Sequence, residues 1–266
     1  CIKITLPFMI ILSYFKKISI VIHGDDILYK SNIEWLYLTV FFSFLKANYI
    51  SNSLYTSKLL QKTWSKRSVV VPPFVDAKAI DLPTVGSNDE CLKIVSVGRL
   101  VVRKNHSRMI DAVEIIQHEM PELKYVIIGD GPMKEELQLK VKRQGLEGVV
   151  SFTGRVDEET KINHMRSSRI VALPSVYLAS EATVEGYGMV FIEANALGVP
   201  ALGGMSGGMQ EAIKSGITGE VCDGSVEDIV AKTRFMLNKK YDEKCLVAHA
   251  KTHHFEGQHV FYDAIL

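Results

Sequence analysis

No two of the four cysteines (Cys1, Cys91, Cys222 and Cys245) stand in CxxC spacing. The sequence therefore offers neither a zinc knuckle nor the disulfide framework of a small secreted domain, and free thiols in a reducing compartment are expected. Charge of one sign is lacking too: 31 Lys/Arg against 30 Asp/Glu leave a net +1, which argues neither for nor against a nucleic-acid partner. No apolar run reaches the ~20 residues of a membrane-spanning helix. Ile4 to Phe15 comes nearest, and Pro7 interrupts it. A signal-peptide core fits it by length, but no small-residue cleavage site follows. A Walker loop and an Asp-x-Asp metal pair are both missing. Gly129-Asp130-Gly131-Pro132 lacks the third glycine of a dinucleotide fingerprint, because Lys134 occupies that position. It reads instead as a tight strand-to-helix turn.

What is present is apolar and regularly spaced. With 47% hydrophobic residues, 266 residues can bury one large core or two modest ones. Residues 1–80 carry a charge balance of +6 and the remainder −5. That asymmetry fits an anionic acceptor, a membrane surface or simply a solvated basic face. The chain opens at Cys1 on residues that already resemble a domain interior, so it reads as a fragment with its N-terminus upstream.

Period and turn residues predict strands at 18–22, 48–50 and 68–71, helices at 33–46 and 54–64, and a helix cap at Ser51-Asn52-Ser53. Residues 74–90 lack periodicity and include Pro83 and Gly86. From 91 onward strands and helices alternate: strands at 92–97, 124–128, 149–152, 170–173, 200–202 and 219–222, with helices at 105–119, 133–145, 157–167, 188–198, 208–215 and 225–238. Such alternation implies parallel βαβ units. The expected division is a partial first domain at 1–80, a linker at 81–90, a nucleotide-binding domain at 91–240, and a helical segment at 241–266 that returns to the first domain.

Ligands of open parallel sheets bind at the carboxyl ends of the strands, and the chemistry-bearing residues cluster there. Glu185-Gly186-Tyr187-Gly188-Met189-Val190 leads into a buried helix that holds Glu193. The Gly-x-Gly step permits positive φ, and the helix start favours an anion. Glu193, set among apolar residues, would need a partner, and a ribose diol is a good one. Arg99 and Lys104, after the strand at 92–97, can converge on a diphosphate, with Arg103 competing for the second role. The glycine-rich 203–208 loop suits phosphate contact or packing between helices equally, and Glu211 is placed to cap its own helix. His23, at a strand end, suits a sugar hydroxyl or a purely structural role.

Taken together, IVSVGRLVVRKN (94–105), VIIGDGP (126–132), FTGRV (152–156), LPS (173–175), VEGYGMVFIEANALGVP (184–200) and GGMQEAIKSGITGEV (207–221) resemble the family 4 retaining glycosyltransferases, the group 1 glycosyl transferases. VIHGDD (21–26) and VVVPPFVD (69–76) match more loosely. The resemblance implies an α/β GT-B fold of two Rossmann-like parallel-sheet domains, the N-terminal one incomplete. It implies a hexosyltransferase that uses a UDP- or GDP-sugar and a glycan or lipid-linked acceptor in cell-envelope polysaccharide synthesis, with no metal and no nucleic acid. A cytoplasmic location follows, with association at the inner membrane face through the basic N-terminal part left open. Residue by residue, Arg99 and Lys104 would hold the donor diphosphate and Arg155 and Val156 would lie beside the base. Glu193 would take the ribose, while Gly186, Tyr187, Gly188, Met189 and Val190 would contact sugar and phosphates. Glu185 and His23 would be the catalytic residues at the transferred hexose. An epimerase of the same fold and an inactive nucleotide-binding fragment remain the alternatives.

Overall fold

In the computed structural model, residues 14, 18–28, 31–75, 92–178 and 183–253 are described. They build two parallel sheets. The smaller has the order β1 (Ser19–Ile22), β2 (Asn48–Ser51), β3 (Ser68–Val70), with α1 (Asn32–Phe44) and α2 (Leu54–Trp64) as its crossovers. Ser31 caps α1 and Ser53 caps α2, each accepting from the backbone N–H three residues on.

The larger sheet contains six strands: β4 (Lys93–Val97), β5 (Lys124–Ile128), β6 (Val150–Gly154), β7 (Ile170–Leu173), β8 (Ala201–Gly204) and β9 (Gly219–Cys222). Their spatial order is β6-β5-β4-β7-β8-β9, and each adjacent pair is parallel. The connections are α3 (His106–Gln117), α4 (Lys134–Arg143), α5 (Glu158–Arg166), α6 (Met189–Ala196), the short α7 (Met209–Ala212) and α8 (Val226–Asn238). This is the doubly wound order, in which the chain leaves β4 toward one side of the sheet and returns beyond it at β7. The crevice at the carboxyl ends of β4 and β7 is thus the topological switch point.

The alternation forecast from the sequence is observed throughout. Most boundaries shift by one or two residues, and the helix expected at 208–215 shortens to Met209–Ala212. Gly203 and Gly204, expected in a loop, are the last residues of β8 and pair with Val221 and Cys222 of β9. Only glycine fits there, since a Cβ on Gly204 would lie 1.9 Å from the Ser175 carbonyl oxygen. Two apolar layers flank the sheet, one under α3 and α8 with Tyr125 at its centre, the other around Val95, Val171 and Ala194. The helix α9 (Glu243–Lys251) packs along α6, on the larger sheet. Residues 254–266, and the expected linker at 81–90, lie outside the described residues.

Candidate active site

After β4 the chain makes a 3₁₀ turn at Val102–Lys104 and then places Asn105 at φ 60°. The Asn105 side-chain amide donates to the carbonyls of Pro174 (3.1 Å) and Gly224 (2.9 Å). That amide ties the β4 loop to the chain leaving β7 and brings two cations onto one carboxylate. Arg103 Nη1 lies 2.6 Å and Lys104 Nζ 2.5 Å from Glu185 Oε2, with all three side chains less than one-fifth exposed. Burial pushes the Glu185 carboxyl upward, but the Lys104 ammonium and the Arg103 guanidinium outweigh it. The group therefore titrates below the ordinary 4.5. Two cations thus hold one anion at the switch point.

By spacing, Arg99 and Lys104 pair on the diphosphate, with Arg103 competing with Lys104. Arg99 is exposed; the guanidinium that joins Lys104 is that of Arg103. Spacing alone could not distinguish them, because the 3₁₀ turn decides which side chain faces the crevice.

Gly188 adopts φ 94° and opens α6. The N–H groups of Met189 and Val190 are among those a helix start leaves without an intrahelical acceptor. Beneath them Tyr187 turns inward, only 5% exposed, with its hydroxyl 2.6 Å from His253 Nε2. Its side chain belongs to the core, so only its backbone is available to a ligand.

Glu193 lies in the second turn of α6, as expected, but the premise of a buried carboxylate without a protein partner is overturned. Its side chain is 27% exposed and pairs with Lys161 Nζ of α5 at 3.0 Å. Burial lowers the Lys161 pKa, but Glu158 and Glu193 together raise it above its ordinary value. Arg155 is exposed at the end of β6, while Val156 is half-buried against the Val95 layer.

The glycine-rich loop after β8 serves packing. The Gly208 N–H donates to the Glu185 carbonyl at 3.0 Å, and Gly207 (φ 63°) approaches that oxygen so closely that a Cβ would lie 1.9 Å away. The loop therefore buttresses the Glu185 segment from behind.

Facing this crevice from the smaller sheet is His23, exposed at the end of β1. Its Nδ1 lies 3.2 Å from Asn52 Nδ2. Asn52 itself is buried, its Oδ1 has no partner, and its amide nitrogen lies against Gly186. From the sequence Asn52 is expected only as part of a helix cap. Glu211 does not cap its own helix either, but bonds Leu54 N–H and Tyr55 N–H at the start of α2.

Comparison with known proteins places these features in context. A family model described as glycosyl transferases group 1 matches residues 78–253. A GDP-mannose-dependent alpha-(1-6)-phosphatidylinositol monomannoside mannosyltransferase of Mycolicibacterium smegmatis is 34% identical over 158 residues, covering 59% of this chain and 41% of that protein. The amylovoran biosynthesis glycosyltransferase AmsK of Erwinia amylovora is 27% identical over 174 residues, covering 64% and 42%. The matches thus span about two-fifths of the length of these curated relatives. Among solved structures, Anabaena HepE in complex with UDP superposes with a TM-score of 0.80 at 17% identity, covering 98% of this chain and 76% of that one. The pneumococcal O-GlcNAc transferase GtfA, in complex with UDP and GlcNAc, gives 0.76 at 16% identity, covering 97% and 54%. At such identities the likeness speaks for the fold, which is GT-B.

Proposed function

The chain belongs to the glycosyl transferases group 1 family, and from that premise we propose that it moves a hexose from a UDP- or GDP-linked donor to a glycan or lipid-linked acceptor, with retention at the anomeric carbon, in building cell-envelope polysaccharide or glycolipid. The observation that carries the reading is the convergence of Arg103 and Lys104 on Glu185 at the switch point, beside the open start of α6. Two fixed cations and free helix N–H groups suit the diphosphate that leaves in such a reaction. The acceptor hydroxyl forms the new bond to the anomeric carbon as the bond to the diphosphate oxygen breaks. In a front-face course the hydroxyl proton passes to that departing oxygen.

In this reading Arg103 and Lys104 exchange part of their contact with Glu185 for donor phosphate, and Glu185 turns its freed lone pairs to the hexose hydroxyls. Arg99, on the same loop, reaches the diphosphate from the solvent side, and Arg155 and Val156 flank the base. Glu193 exchanges Lys161 for the ribose, and His23 meets the hexose from the opposite sheet. Since protein cations supply the charge stabilisation, transfer is expected to survive a chelator such as EDTA.

The GDP-mannose dependence of the mannosyltransferase relative supports GDP-mannose, and the UDP complexes of the structural neighbours support UDP-sugars. No helix among the described residues is long and apolar enough to cross a membrane. A peripheral membrane contact is supported by Ile33, Leu36, Val40 and Phe44, exposed along α1. It would appear as co-sedimentation with anionic lipid vesicles.

The test is a panel of GDP- and UDP-sugars read by thermal shift, since a ligand of the native state stabilises by mass action. The selected donor is then offered with glycan and lipid acceptors, and the anomeric configuration of the product is read by NMR. A donor that raises the melting temperature and yields an adduct of retained configuration is expected. No response to any nucleotide sugar would overturn the reading, and a free epimerised sugar nucleotide would replace it with an epimerase.

A further inference from the structure

Glu211 lies in α7, beyond the glycine-rich loop, and reaches across to the other sheet. Its Oε2 accepts from Leu54 N–H at 2.7 Å and its Oε1 from Tyr55 N–H at 2.8 Å. These amides are the first two of α2, and a helix start leaves both without an intrahelical acceptor and with partial positive charge. Ser53 Oγ takes the next donor, Thr56 N–H, at 3.0 Å. Residues 157 and 156 positions apart in the chain are thereby joined by a two-pronged, charge-assisted contact.

The seam around this contact is closed by backbone. A Cβ at Gly208 would lie 2.8 Å from Ser53 Cβ. At Gly186 it would lie 2.5 Å from Asn52 Nδ2, and at Gly24 2.5 Å from a Val184 methyl. The start of α2 therefore sits directly on the loop that carries Glu185. Asn52, immediately before the Ser53 cap, has its amide nitrogen 3.2 Å from His23 Nδ1. Donation from that amide leaves the ring proton on Nε2, the nitrogen away from Asn52.

We propose that Glu211 is a positioning residue: its carboxylate clamps the first turn of α2 onto the larger sheet and so holds Asn52 and His23 over the Glu185–Gly186 step. The effect on transfer rests on the transferase reading above; the clamp itself does not.

Two variants and two readouts separate these parts. Glu211→Gln replaces one acceptor oxygen by a donor that faces a backbone N–H. Leu54→Pro deletes one of the clamped N–H groups without opposing the helix, since proline suits the first helical position and the extended Ser53 suits the residue before it. Amide hydrogen exchange at Tyr55 is expected to accelerate in Glu211→Gln on the order of tenfold, the scale of one charge-assisted hydrogen bond. The kcat for transfer should fall by a similar factor while donor KM and nucleotide affinity stay at their wild-type values, because the donor cations lie on the larger sheet. Leu54→Pro should lower kcat in the same way, and the double variant should be no slower than Glu211→Gln alone.

Unchanged exchange at Tyr55 overturns the clamp, whatever the activity. Accelerated exchange with unchanged kcat, or a rise in KM with kcat preserved, overturns the positioning role. If the wild-type protein transfers no sugar, the transferase reading fails and the exchange data alone decide the clamp. Should Glu211→Gln fail to fold, Leu54→Pro carries both measurements.

Discussion

Replacing Lys104 with methionine isolates the charge from the stem, because methionine fills much of the same buried space. Lys104 Nζ lies 2.5 Å from Glu185 Oε2, with the two side chains 11% and 15% exposed. Coulomb's law at an effective dielectric of about 20 assigns roughly 7 kcal/mol to that separation. Dehydrating the two ions opposes it by several kcal/mol. Arg103 stays 2.6 Å from the same oxygen, so Glu185 is not left unpaired. The expected net loss is about 1–3 kcal/mol, the range for a hydrogen bond to a charged group. Urea unfolding at neutral pH measures it. The acid limb gives a second reading. Because the Glu185 carboxyl titrates below its ordinary 4.5, its ion pairs stabilise the fold above that value and are lost as pH falls through the lowered one. Without Lys104, burial weighs more heavily and the carboxyl titrates higher, so Lys104→Met should lose stability at a higher pH than wild type. Nucleotide-sugar affinity should fall in parallel, by on the order of tenfold. An unfolding midpoint and acid limb that superimpose on wild type would refute the electrostatic argument; unchanged affinity would refute the donor role.

Glu193→Ala should weaken nucleotide-sugar binding by about tenfold by calorimetry, whereas Lys161→Ala, which removes two partly exposed ion pairs, should cost stability about 1 kcal/mol or less; unchanged affinity in the first variant removes the ribose assignment. At Gly188, φ is 94° and an added Cβ would lie 2.7 Å from the Phe191 ring. Gly188→Ala should therefore lower stability by about 1–3 kcal/mol in a denaturant titration, and a wild-type midpoint would show that α6 can start without that conformation. Burial holds His106 down to about 4, with Lys104 adding to the effect. The unfolded chain therefore takes up a proton below its ordinary 6.5 that the folded chain refuses. Stability should be intact above that value and fall by about 3 kcal/mol as pH drops to about 4, at roughly 1.4 kcal/mol per pH unit. A flat profile across that interval would contradict the neutral buried imidazole.

Most of the larger sheet was legible in the chain because each of its elements satisfies a local demand. Apolar runs such as Ile94-Val95 and Tyr125 to Ile128 need burial on both faces, and the turns between them are marked by glycine and proline. Where a local cue carried the wrong meaning, the boundary slipped. Gly203-Gly204 looks like a loop, yet it ends β8, where the Pro174-Ser175 backbone leaves no room for a side chain at Gly204 and the Ile213 and Phe191 side chains crowd Gly203. Gly207 and Gly208 offered phosphate contact and packing equally in the sequence; their closeness to the Glu185 and Gly186 carbonyls decides for packing.

The candidate site divides in the same way. The chain alone determined that carboxylates, cations and helix starts gather at strand ends, because periodicity dictates where strands stop and where side chains lie relative to the sheet. It could not determine which charges meet. Arg103 reaches Glu185 because a 3₁₀ turn and the Asn105 amide bring it there. Glu193 finds Lys161 from another helix, and Glu211 finds α2 in the other sheet. Those pairings depend on loop closures between residues 32 to 157 positions apart. Local propensity does not encode such distances, whereas an ion pair depends steeply on them. The secondary structure and the chemical inventory were thus written in the sequence, and the tertiary structure alone decided the partners.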